Sequence, residues 1–220
     1  AGGVHPDEMH HPRTPLLALE NTHNFAGGAV LPAPVVEAAV AAARRFGLAT
    51  HLDGARLFNA VVASGVDAAT LAAPFDTVSI CLSKGLGAPV GSIVASDRET
   101  IDGMRRTRKM LGGGMRQAGI LAAAGIYALE HNIDRLADDH ARASRLAEYL
   151  TRRGVEVEGG PETNIVMFRL PDAIDFSRRA AAEGLRINLA GPGRLRAVTH
   201  LDIGDSELED AFTRIEKILT

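Results

Sequence analysis

Short apolar runs alternate with amphipathic stretches through the first half of the chain. Residues 15–20 (PLLALE) form an apolar run that predicts a buried strand. Residues 34–46 then place Val35, Val36, Ala39, Val40 and Ala43 at helical spacing; Pro32 and Pro34 mark the start and Gly47 the stop. A strand over 48–53, a helix over 55–63 and a β-former-rich strand over 77–83 follow, with a fourth strand over 92–96. Strand and helix alternating in this way predict a mostly parallel sheet with helices on both faces. From residue 98 the pattern turns helical, over 98–110, 115–130 and 133–153, and stops at Gly154. Short strands over 155–157, 164–170, 186–189 and 196–200 and helices over 174–183 and 206–219 then predict a small α+β unit. The expected division is 1–132 for a large unit, 133–153 for a connecting helix and 154–220 for a small C-terminal domain.

Composition narrows the function classes. The 220 residues are 46% hydrophobic and 23% charged, an ordinary globular balance. Twenty-four basic residues against 27 acidic ones give a net charge of -3. No Lys/Arg block appears, so neither nucleic acid nor a membrane surface is expected as a partner. Cys81 is the single cysteine, which rules out an intrachain disulfide and points to a reducing compartment, the cytoplasm. No apolar run is long enough to span a bilayer, and no metal site is expected. The opening AGGVHPDEMHH lacks the pattern of a signal peptide and begins without Met, so a fragment is expected.

Ligands of parallel α/β sheets bind beyond the carboxyl ends of the strands. Three successive predicted strands here run into polar or ionisable residues: Glu20 to Asn24, then His51, Asp53 and Arg56, then Ser83 and Lys84. Strands covered on both faces should be nearly all apolar, so ionisable groups gathered at one rim mark a candidate site. Lys84 follows an apolar strand and precedes the glycine-punctuated GLGAPVG. A lysine in a confined site can attack an aldehyde cofactor. Such a cofactor, pyridoxal phosphate (PLP), also needs an anion beside its pyridinium nitrogen, and Asp53 is the candidate. Arg56, past the turn at Gly54, can face the same space, where its fork suits a carboxylate.

As strings, LENTHN (19–24), HLDGARLFNA (51–60), ICLSKGLGAPVGS (80–92) and RKMLGGGMRQ (108–117) resemble the low-specificity L-threonine aldolase family. That family lies among the β-eliminating-lyase-like PLP enzymes of the aspartate-aminotransferase fold. Residues 119–129 and VTHLD (198–202) extend the likeness over essentially the whole chain. It implies an α/β fold: the large domain of PLP fold type I, lacking its first strands, plus a small C-terminal domain. It further implies that Lys84 binds PLP covalently, that Asp53 pairs with the pyridine nitrogen, and that Arg56 and Arg196 hold the substrate carboxylate. By the same likeness His10 lies near the substrate hydroxyl and Ser83 near the cofactor phosphate. Lys109 and Arg116 approach a cofactor phosphate at a subunit interface. The implied reaction is retro-aldol cleavage of L-threonine or L-allo-threonine to glycine and acetaldehyde by a homo-oligomer, a dimer of dimers. Family members carry well over a hundred residues before the point where this chain begins, so the 220-residue chain alone is expected to show little or no activity. The alternatives are another PLP-dependent β-hydroxy-amino-acid lyase or transferase, and a non-catalytic, self-associating fragment.

Overall fold

The computed structural model describes residues 3–5 and 8–219. Two four-stranded sheets organise the chain. In the first, β1 (Leu16–Glu20), β2 (Ala49–Asp53) and β3 (Thr77–Cys81) run parallel, and β4 (Ser92–Ala95) returns antiparallel to β3. The register sets Leu19 beside Leu52 and Leu52 beside Val78, and that row faces the helices. Helix α1 (Ala33–Arg45) adds Val36 and Val40 to it, and α2 (Leu57–Ser64) adds Leu57, which closes an apolar core.

The sheet is not covered equally on its two faces, contrary to the expectation from the sequence. The opposite row (Ala18, Glu20, His51, Asp53, Thr77, Ser79, Cys81) contains no fully buried residue. Successive strand residues point to opposite faces, so apart from the buried Thr50 the polar positions of β2 and β3 fill one face rather than only the strand ends. There His51 Nδ1 meets Thr77 Oγ1 at 2.7 Å.

Short α3 (Ala68–Ala72) starts at Asp67, whose carboxylate accepts the Thr70 N–H at 2.9 Å, an ordinary N-cap. Helices α4 (Arg98–Met110) and α5 (Gly119–His131) follow. The 115–130 stretch turns helical only at Gly119, because Gly112 (φ 81) and Gln117 (φ 49) hold left-handed backbone before it. The long α6 (Leu136–Arg152) carries Ala143, Leu146, Ala147 and Leu150 into the core of the second sheet. That sheet has the order β5 (Glu156–Val157), β6 (Ile165–Arg169), β8 (Arg194–Val198), β7 (Asn188–Gly191), all antiparallel. Helices α7 (Ala173–Ala182) and α8 (Asp205–Leu219) cover it with Phe176, Leu208 and Ile215. No helix among the described residues is long and apolar enough to cross a membrane.

Candidate active site

The loop after β3 is anchored by its apolar residues and presents its polar ones. Leu82, Leu86 and Ala88 are buried against Ala128 and Leu136, while Ser83 and Lys84 between them are exposed. Backbone bonds from Gly87 N–H to Lys84 O (2.9 Å) and from Ala88 N–H to Leu82 O (3.0 Å) close the turn. Gly87 has φ +74, which a side chain rarely tolerates. A Cβ there would also lie 2.6 Å from Leu201 Cδ2. Asn132 Nδ2 donates to Leu86 O at 2.7 Å and Arg135 Nη1 to Gly85 O at 3.3 Å, so the connection between α5 and α6 braces the loop. Arg135 also pairs with Asp139, whose carboxyl pKa burial raises against the pull of Arg135 and Arg142.

Lys84 opens onto a cavity of about 350 Å³ between the two sheets. Arg56, Ser83 and the glycines of the loop line one side, and Asn164, Val198, His200, Leu201 and Asp202 line the other. Arg56 is delivered by a tight turn, in which Gly54 N–H donates to Ser79 O at 2.8 Å and Leu57 N–H to Gly54 O at 2.8 Å. The Arg56 pKa is lowered first by burial and next by Arg196, while Glu20, Cys81 and Asp53 pull it back up. Two guanidiniums are therefore held within each other's field in a half-buried setting, which suits an anion with two oxygens. Arg196, from β8, donates to Asn24 Oδ1 at 2.8 Å, and Asn24 N–H in turn donates to Glu20 Oε1 at 3.1 Å.

A profile of the β-eliminating lyase family matches residues 3–173. The chain belongs to that family. The low-specificity L-threonine aldolase of Escherichia coli (strain K12) is 46% identical over 209 residues, covering 94% of this chain and 61% of that protein. A probable low-specificity L-threonine aldolase 2 of Arabidopsis thaliana is 41% identical over 218 residues, with 96% and 61% covered. Leishmania major threonine aldolase shares the fold, with a TM-score of 0.79 at 18% identity over 97% of this chain and 64% of its own. The chain thus spans 61% of the length of the curated relatives named here.

In this member of the family the residues singled out from sequence fall into three groups. Lys84, Ser83 and Arg56 line the cavity. Asp53 and Arg196 do not line it, but both act on Arg56 through charge, and Asp53 sits in register between Glu20 and Ser79 on the polar face of the sheet. His10, Lys109 and Arg116 are exposed and do not line the cavity. Asn24, which aims Arg196, and Asn164 and His200, on the cavity wall, carried no assigned role in the sequence reading. VTHLD stood out as a string, but only folding brings it opposite Lys84. A larger open groove of about 730 Å³ between α6 and α8 also carries arginines. Its Arg145 and Arg153 pair with Glu209 and Glu216 of the same groove, which leaves little net field for a ligand.

Gly54 couples this geometry to packing. A Cβ there would lie 2.9 Å from the Ser79 carbonyl oxygen and 3.2 Å from Leu57 Cβ. Backbone cannot yield as a side chain does, so Gly54→Ala is expected to destabilise the protein by about 1–3 kcal/mol and to displace Arg56. Urea unfolding checks the first effect. A variant as stable as wild type would show that the turn has room.

Proposed function

We propose that the protein to which these residues belong takes PLP on Lys84 and cleaves L-threonine or L-allo-threonine to glycine and acetaldehyde. The observation that carries this reading is the Lys84 amine sharing a cavity with Arg56, which lies in the field of Arg196. The identity to low-specificity L-threonine aldolases supports the choice of substrate. Lys84 and Ser83, which line the cavity, offer an amine for the cofactor's aldehyde and a hydroxyl for its phosphate, and Asp53, on the polar face of the sheet, is proposed as the partner of its ring nitrogen. When bound, PLP supplies the sink for the electron pair released from the Cα–Cβ bond.

The chain's own residues do the rest. Arg56 and Arg196 grip the carboxylate and so orient the bond to be broken. The hydroxyl proton leaves as that bond breaks, with His10 or a water it positions as acceptor, and a proton returns to Cα to give glycine. Lys109 and Arg116 are proposed to reach a cofactor phosphate across a subunit contact. Around them Met110, Leu111, Met115 and Ile120 are strongly exposed, which fits self-association of the protein as a homo-oligomer, a dimer of dimers. We assign 1–132 to the cofactor-holding unit, 133–153 to the connecting helix and 154–220 to the small domain. The free thiol of Cys81 fits a reducing cytoplasm.

Acetaldehyde release from L-threonine, followed with a coupled reductase, tests the reaction. Arg196→Ala is expected to raise KM for threonine about 10- to 100-fold, the loss of one charge-assisted hydrogen-bonding partner, with a smaller change in kcat. An unchanged KM would remove Arg196 from the carboxylate site.

A further inference from the structure

Asn164, immediately before β6, is 2% exposed, yet it lines the cavity that Lys84 opens onto. Its Nδ2 donates to the Thr199 carbonyl oxygen at 2.9 Å, and its own carbonyl accepts the Thr199 N–H at 3.1 Å. The first of these bonds fixes the amide's orientation, because turning the group round would set Oδ1 against another acceptor. Thr199 Oγ1 is itself tied to the Asp139 carbonyl at 2.7 Å, so the clasp is held from α6 as well. Oδ1 is left buried with no hydrogen-bond partner. Leaving a buried acceptor in that state is costly, and such a group calls for an explanation.

The cavity offers the explanation. It is lined by Lys84, Arg56 and Ser83, which can donate, and the other side chains on its wall able to accept, His200 and Asp202, are 45% and 86% exposed. An amino acid whose carboxylate rests on the guanidiniums also brings an amine, which must come to the lysine and needs a buried acceptor there. We infer that Asn164 Oδ1 receives a hydrogen bond from the amine of the bound amino acid, making Asn164 a positioning residue for the substrate. This rests on the proposed carboxylate site. A neutral amide suits the task better than a carboxylate. It orients the amine without the charge that would hold it protonated, and an amine must lose a proton before it can attack an aldehyde.

The test is equilibrium binding to the whole protein to which these residues belong, kept free of PLP so that no covalent bond with the cofactor enters. The ligands are L-threonine and 3-hydroxybutanoate, which differ in the amine alone, titrated by NMR in phosphate-free buffer. Wild type is expected to favour threonine. Asn164→Leu should lower the threonine-to-hydroxybutanoate affinity ratio about tenfold and leave hydroxybutanoate binding in place. Asn164→Asp loses the Nδ2 bond to Thr199 but keeps an acceptor, and should hold or raise the ratio. If both variants weaken the two ligands equally, Asn164 is only a clasp and the inference fails. An Asn164→Leu ratio equal to wild type also overturns it. If wild type binds neither ligand, or Arg56→Met binds both as wild type does, the carboxylate site fails and the inference with it.

Discussion

Replacing Lys84 by alanine is expected to slow threonine cleavage at least about a thousandfold, the scale of loss when the group that forms the covalent bond is removed. Lys84→Arg should lose as much. It keeps the positive charge and much of the length but offers no amine that condenses with an aldehyde. The pair of variants therefore separates a nucleophile from a counter-ion. Neither substitution should unfold the protein. Lys84 is exposed, and the apolar neighbours Leu82, Leu86 and Ala88 hold the loop in place. Cleavage within tenfold of wild type in Lys84→Arg would assign position 84 an electrostatic role, and the proposed chemistry would then need another amine.

The second large effect lies in the core beneath the cavity. Phe168→Ala is expected to cost about 3–5 kcal/mol. Phe168 is 0% exposed at the heart of β6, directly across from Leu195 of β8, and its ring meets that of Phe176 edge-on at 6.0 Å. Removing it leaves a hole beside the Phe176 ring of α7, under a β6–β8 ladder whose hydrogen bonds keep it from closing on the space. The effect should reach the site, since β8 carries Arg196 and Val198 and leads into His200, and β6 begins beside Asn164. The urea midpoint should fall with the slope unchanged, and threonine binding should weaken in step with the folded fraction. A cost under about 1 kcal/mol would mean that the second sheet repacks freely, which would undercut a rigid wall opposite Lys84.

Most elements were legible because their signals are local. The Pro32/Pro34 start and Gly47 stop bracket α1 to within a residue, and the strands of the first sheet fall where the apolar runs do. Helix α3 was missed, although Asp67 three residues before Thr70 is a readable cap. The rim of polar strand ends was legible too, and it pointed to Lys84, Ser83 and Arg56. What the sequence could not show were properties of pairs far apart along the chain. Arg196 meets Asn24 across 172 residues, and Asn164 meets Thr199 across 35. The open polar face of the first sheet was misjudged for a related reason. A parallel strand was assumed to be covered on both sides, and coverage depends on which other elements pack there, not on the strand's own residues.

The chain has three lysines, Lys84, Lys109 and Lys217, which makes the decisive measurement simple. The protein is incubated with PLP, reduced with borohydride, digested and mapped by mass spectrometry. The expected result is a phosphopyridoxyl group on the peptide containing Lys84, and its disappearance in Lys84→Arg. Labelling of Lys109 or Lys217 with Lys84 left unmodified would contradict it.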